Sequence, residues 1–72
     1  MPTDVPIRGD TIRLGQLLKL AGVVDHGGEI KAFLAHERVL VNGEREERRG
    51  RQLHPGDVVV TGVEELRVVG DA

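Results

Sequence analysis

The chain has 72 residues and a mass of 7.8 kDa, with no cysteine and a single aromatic residue, and 31% of its residues are charged. This length corresponds to one small domain, and the lack of cysteine excludes disulfide scaffolds and thiolate zinc modules. No apolar run approaches the ~18 residues of a membrane span, and the N-terminus lacks the basic-then-apolar pattern of a signal peptide. We therefore expect a cytoplasmic single domain with no membrane partner and no cofactor.

The charge balance limits how the chain could bind nucleic acid. Ten Lys and Arg residues stand against twelve Asp and Glu residues, which gives a formal net charge of −2. Proteins that coat nucleic acid by bulk electrostatics are strongly basic, so RNA binding here requires the basic groups to gather on one face. Arg48, Arg49 and Arg51 fall within four residues and form such a gathering. Because Phe33 is the lone aromatic residue, the chain has no platform for stacking single-stranded bases.

The domain boundaries are predicted from composition. Residues 1–6 are predicted to form a flexible N-terminal tail, since Pro2 and Pro6 oppose regular structure, although a short edge strand over residues 5–8 is compatible with the sequence. Residues 7–69 are predicted to form one domain, and residues 70–72 a C-terminal tail.

The first helix is predicted from apolar residues that recur at intervals of three and four. These residues form one stripe that consists of Leu14, Leu17, Leu18 and Ala21. Gly22 lies where a helix commonly ends in a left-handed residue. The helix could begin after Thr11 or at Arg13.

The second helix is predicted to run to about residue 36. Its apolar face consists of Ile30, Phe33 and Leu34. Asp25 or His26 supplies its N-cap. Gly27 and Gly28 fall in its first turn, where each costs about 1 kcal/mol relative to alanine, so something is expected to compensate for them.

The rest of the chain shows the alternation typical of strands. Asn42-Gly43 is a strong signal for a type I′ hairpin turn, with a charged returning strand over residues 44–49. Pro55-Gly56-Asp57 predicts a further turn, followed by strands over residues 58–61 and 65–69. The sequence therefore predicts an α+β domain of two short helices packed on a small, mostly antiparallel β-sheet. The predicted core consists of Leu14, Leu17, Leu18, Ala21, Ile30, Phe33, Leu34, Val39, Val41, Leu53, Val58 and Val60.

The composition offers little support for catalysis or metal binding. Serine and cysteine are both absent, which leaves threonine as the hydroxyl nucleophile. His26, His36 and His54 are spaced by ten and eighteen residues, which matches no helical pair of metal ligands. A domain of this size also has difficulty forming the pocket of roughly 300 Å³ that catalysis generally uses. We therefore expect no enzymatic activity, no metal and no small-molecule substrate.

Two features favour phosphate binding. Gly27 and Gly28 leave the start of a helix unshielded, where backbone amides attract phosphate, and Lys31 lies one turn further along. The glycines fit a tight turn between helices equally well. The three arginines that flank Gly50 in the segment 48–51 could form a solvated loop, but in an otherwise acidic chain they favour phosphate binding.

Taken together, these segments resemble the S4-like RNA-binding domain, and most closely its short stand-alone bacterial members, the YaaA/YbcJ-like proteins. The resemblance covers about residues 7–69. It rests on four blocks in the family's order, namely Leu14-Gly15-Gln16-Leu17-Leu18-Lys19-Leu20, Gly27 to Lys31, Val41-Asn42-Gly43 and Arg48-Arg49-Gly50-Arg51.

The resemblance implies the alpha-L fold and a surface that grips structured RNA, such as ribosomal or transfer RNA. By position, the implied RNA-binding residues are Arg13, His26, Gly27, Gly28, Lys31, Arg48, Arg49 and Arg51. The family often has serine before the glycine pair, where this chain has His26, so capping of the second helix by Asp25 is expected. The implied partner is structured RNA, and the protein is expected to be a monomer.

Two alternatives stay open. The negative net charge is compatible with a protein-interaction module on the same fold, with weak or no RNA binding. Small sulfur carriers with a ubiquitin-like fold share the Val-Asn-Gly-Glu hairpin at nearly this length. Their chemistry requires a C-terminal diglycine, whereas this sequence ends Gly70-Asp71-Ala72, and they have one main helix rather than two.

Overall fold

The computed structural model of the chain describes residues 2–62 and 64–70. In these residues the secondary structure consists of two helices and seven strands. The helices are α1 (Leu14–Leu20) and α2 (Gly27–His36). The strands are β1 (Thr3–Ile7), β2 (Ile12–Arg13), β3 (Leu40–Val41), β4 (Glu44–Arg45), β5 (Gln52–Leu53), β6 (Val58–Val60) and β7 (Glu65–Gly70).

The strands form a five-stranded sheet with the order β1-β7-β6-β3-β4 and a separate two-stranded sheet of β2 and β5. All neighbouring strands are antiparallel except β1 and β7, which are parallel. The predicted α+β fold of two short helices with a mostly antiparallel sheet is therefore confirmed. Neither of the described helices is long and apolar enough to span a membrane.

The N-terminal segment differs from the prediction of a flexible tail over residues 1–6. Instead, Thr3–Ile7 forms the edge strand β1, in which Val5 is buried and lies opposite Val68 of β7. Pro6 is compatible with this position because an edge strand leaves one row of backbone groups without a partner strand. The first residue, at position 1, lies outside the described residues. The sequence allowed an edge strand over residues 5–8, but its partner β7 comes from the far end of the chain, so local patterns did not show that the strand starts at Thr3.

The prediction of a C-terminal tail over residues 70–72 is wrong at residue 70. The strand β7 runs to Gly70, which lies opposite Ile7 of β1. Residues 71–72 of the predicted tail lie outside the described residues. The pairing of β1 with β7 thus extends the folded domain at both ends.

The buried core draws on both helices and on strands of both sheets. It consists of Val5, Ile7, Leu14, Leu17, Leu18, Val24, Ile30, Leu34, Val39, Val41, Leu53, Val59, Leu66 and Val68. The predicted positions Ala21 and Phe33 are partly buried and pack against this core. In β6 the prediction was wrong by one residue, because Val59 is fully buried while Val58 and Val60 are half-buried. Three consecutive valines give no alternation from which the inner face could be chosen.

Backbone geometry confirms a predicted hairpin turn and a predicted helix end. Asn42 and Gly43 have φ angles of 52° and 87°, as a type I′ turn requires, and they join β3 to β4. Gly22 follows α1 with a φ angle of 76°, a left-handed conformation that favours glycine. The returning strand is shorter than predicted, since β4 covers Glu44–Arg45 rather than residues 44–49.

Candidate functional site

The helix α1 begins against the segment 48–51, which we call the arginine loop. The backbone amides of Leu14 and Gly15 donate hydrogen bonds to the carbonyl oxygens of Arg51 and Arg49, at 2.8 and 3.0 Å. The first amides of a helix have no partner within the helix, so these bonds satisfy two of them. They also fix the backbone of the arginine loop against the start of α1.

Gly15 allows α1, α2 and the arginine loop to approach one another closely. A Cβ atom at this position would lie 3.2 Å from Cγ2 of Ile30 and 3.5 Å from Cβ of Arg49. The first distance is tighter than ordinary van der Waals contact, and Ile30 is itself buried in the core with 2% of its surface exposed. Glycine at position 15 therefore sets the distance between the two helices.

We expect Gly15→Ala to lower the free energy of unfolding by about 1 kcal/mol, because overpacking against Ile30 outweighs the gain in helix propensity. Gly28→Ala is the matched control, since nothing lies within 4 Å of the position of its Cβ atom. That variant should be as stable as the wild type or more stable by about 0.5 kcal/mol. Denaturant unfolding of the three proteins provides the measurement. A stabilising effect of Gly15→Ala would contradict the close packing.

Polar side chains on the exposed side of α1 face a concave surface, which we call the basic groove. Arg13 is the last residue of β2 and the N-cap of α1, and Gln16 and Lys19 follow it at intervals of three, which places them on the same side of the helix. The groove has a volume of about 230 Å³ and is lined by Arg13, Gly15, Gln16, Lys19, Gly27, Ile30, Arg49 and Gly50.

The basic groove carries three positive charges and no negative one. Arg13, Lys19 and Arg49 form no ion pair or side-chain hydrogen bond with any other residue of the described ranges, 2–62 and 64–70. No acidic side chain lines the groove. A concave surface with charges of one sign focuses the electrostatic potential, so the potential in this groove is positive although the protein is acidic overall.

The other two cations of the arginine loop have an acidic partner. Arg48 donates from Nε to Oε2 of Glu46 at 3.0 Å and from Nη2 to Oε1 at 3.2 Å, and Arg51 donates from Nη1 to Oε1 at 2.8 Å. Glu46 is 6% exposed. The hydrogen bonds from Arg48, opposed by burial and reinforced by Arg51, lower the pKa of Glu46 to about 2.

The basic groove brings together only part of the predicted RNA-binding set. Arg13, Gly27 and Arg49 all line it. Arg48 and Arg51 instead line a second, larger concavity together with His54 and Asp57, and Gly50 borders both concavities.

The remaining predicted residues lie on α2 outside the groove. His26 is the N-cap of α2, so the expected cap at Asp25 was wrong, and the His26 side chain makes no capping hydrogen bond. Gly28 lines a different depression, on the side of α2 that carries Phe33. Lys31 is exposed one turn after Gly27 and does not line the groove.

Sequence reasoning missed Gln16, Lys19 and Gly50 as groove residues. Gln16 and Lys19 had been named only as members of the family block over residues 14–20. Their positions three and six residues after Arg13 are a signal that could have identified them, because this spacing predicts that they share one face of α1 with Arg13. In the described part of the chain no cluster of histidine and acidic side chains could hold a metal ion.

The fold is that of a small α+β domain, and its groove is lined by cations with no acidic residue among them. Residues 5–69 match the S4 domain family, and the chain belongs to this family of RNA-binding domains. The family resemblance inferred from the four sequence blocks is therefore confirmed. The probable ribosome maturation protein RlbA of Bacillus subtilis (strain 168) is 47% identical to this chain over 70 residues, which are 96% of this chain and 99% of the relative.

Proposed function

We propose that this protein is a non-catalytic RNA-binding protein that acts in ribosome maturation, and that its basic groove holds the phosphate backbone of structured ribosomal RNA. The observation that carries the proposal is the groove itself, in which Arg13, Lys19 and Arg49 converge without an acidic neighbour. Membership in the S4 domain family supports RNA as the polyanion. The similarity to a probable ribosome maturation protein of Bacillus subtilis supports ribosomal rather than transfer RNA.

The side chains of the groove favour contacts to phosphate and shape over contacts to single bases. No aromatic residue lines the groove, since Phe33 packs against the core and lines a different depression. Guanidinium groups bind phosphate in a bidentate manner, while Gly27 allows a close approach to the start of α2. These contacts position a folded RNA backbone but carry little sequence information.

Removal of two groove charges should weaken RNA binding and flatten its dependence on salt. The test variant is Lys19→Gln combined with Arg49→Gln, measured by fluorescence anisotropy with a labelled ribosomal RNA hairpin. Each lost phosphate contact reduces the magnitude of the negative slope of log K against log salt by about 0.9. We therefore expect this magnitude to fall by about 2, and the affinity to fall by about tenfold or more at low salt.

The matched control is Arg8→Gln combined with Arg38→Gln, which changes the net charge equally. Both control residues are exposed and neither lines the basic groove. This control should leave affinity and salt dependence close to those of the wild type. Equal losses in both double variants would show a diffuse electrostatic effect rather than a groove. No RNA binding by the wild type at low salt would favour the protein-interaction module instead.

A further inference from the structure

The three arginines of the arginine loop have two different environments. Arg49 lines the basic groove and forms no ion pair among the described residues, whereas Arg48 and Arg51 both bind Glu46. The arginine that lines the groove is therefore flanked by two arginines that hold the same buried carboxylate.

Both carboxylate oxygens of Glu46 are occupied. Besides the guanidinium groups of Arg48 and Arg51, Oε2 accepts hydrogen bonds from the backbone amides of Glu47 and Arg48, at 3.1 and 3.0 Å. The carboxylate thus binds the backbone at the start of the arginine loop as well as two of its side chains. Charge-assisted bonds of this kind are about twice as strong as neutral ones, so they restrict the conformations of the loop.

The loop connects this carboxylate to the groove. The amide of Arg51 donates to the carbonyl oxygen of Arg48 at 3.2 Å, which closes the loop on itself. The carbonyl oxygen of Arg49, one residue further along, accepts the amide of Gly15 in α1. Gly50, next to Arg49, permits many backbone conformations, so the loop needs contacts on both sides of Arg49 to keep one of them.

We propose that Glu46 is a positioning residue for RNA binding, which through Arg48 and Arg51 holds the arginine loop so that Arg49 stays over the basic groove. This inference rests on the proposed function of the groove. It assigns a role to a buried acid beside the arginine loop, whose charge by itself would lower the positive potential that a polyanion meets.

The positioning role and a purely electrostatic role predict opposite results for Glu46→Gln. If Glu46 only offsets two arginines, its neutralisation adds positive charge and strengthens RNA binding with a steeper salt dependence. If it positions Arg49, the loop loosens and affinity for the ribosomal RNA hairpin falls, by about fivefold or more, comparable to the loss of a charge-assisted contact. Stronger or unchanged binding by Glu46→Gln would overturn the inference.

A double-mutant cycle shows whether the effect passes through Arg49. In an Arg49→Gln background, Glu46→Gln should cause little further loss of affinity, because there is no groove arginine left to position. Additive losses would show that Glu46 acts on RNA binding by another route. Glu46→Asp retains the charge on a shorter side chain, so the positioning role predicts weaker binding and the electrostatic role predicts wild-type binding. This variant also serves if Glu46→Gln does not fold.

Hydrogen exchange tests the same inference without RNA. In Glu46→Gln the amides of Leu14 and Gly15, which bond to the arginine loop, should lose more protection than the amide of Val68 in the main sheet, which reports only the loss of global stability. Equal losses at all three amides, or no loss at any of them, would overturn the inference even if the groove binds RNA. If the wild type binds no RNA, the proposed function fails, and this measurement still reports whether Glu46 holds the loop.

Discussion

Leu18→Ala is expected to lower the free energy of unfolding by about 3–5 kcal/mol. Leu18 is fully buried, at 0% exposure, in the middle of the core that α1 forms with α2 and the strands. Truncation removes buried methyl groups and leaves a cavity that a close-packed core only partly fills. Small domains have about 5–15 kcal/mol of total stability, so this one substitution removes a large share of it.

Leu20→Ala is the control for this substitution. Leu20 lies in the same helix and undergoes the same change, but it is 58% exposed. Surface substitutions of this type change stability by about 0.5 kcal/mol or less. Urea unfolding followed by circular dichroism measures both variants. Similar losses at the two positions would contradict the orientation of α1 against the core.

The helices could be predicted from sequence because their signals are local. The spacing of the leucines gave the buried face of α1, and Gly22 marked its end. The sequence allowed an edge strand over residues 5–8, but the extent and pairing of β1 could not be predicted locally, since Thr3–Ile7 pairs with β7 at the opposite end of the chain. Parallel pairing over such a separation is a tertiary property, and the local presence of Pro6 suggested the opposite.

The candidate site was predictable in its composition but not in its arrangement. The cluster of arginines in segment 48–51 is visible in the sequence, and so is the alternation of charge around it. The sequence does not show that Arg49 has a different environment from Arg48 and Arg51. Glu46, which binds those two arginines, belongs to a run of charged residues in which no pattern marks an inward-facing position. A buried carboxylate is stable only where partners surround it, and those partners are placed by the folded loop.

Burial of Glu46 between two arginines should make the stability of the protein depend on pH in the acid range. The pKa of Glu46 is lowered from 4.5 to about 2 in the folded state, by the hydrogen bonds from Arg48 first and then from Arg51. Since the folded state binds the proton less well than the unfolded state, the stabilisation is fully present above pH 4.5. It is lost as the pH falls toward 2. With screening by solvent near the loop taken into account, the lowered pKa of Glu46 contributes about 1–3 kcal/mol to the free energy of unfolding above pH 4.5.

Unfolding of the wild type and of Glu46→Gln across this pH range isolates the contribution of Glu46. The variant should be less stable above pH 4.5, and the difference between the two proteins should shrink by about 1–3 kcal/mol as the pH is lowered toward 2. Burial raises the pKa of Asp57, but hydrogen bonds from Asn42 and the His54 amide, with the charges of His54 and Arg51, outweigh it and lower that pKa. Asn42 and His54 are the same in both proteins, so most of the Asp57 contribution cancels in the difference. A difference that stays constant with pH would mean that Glu46 stabilises the loop by packing rather than by its charge.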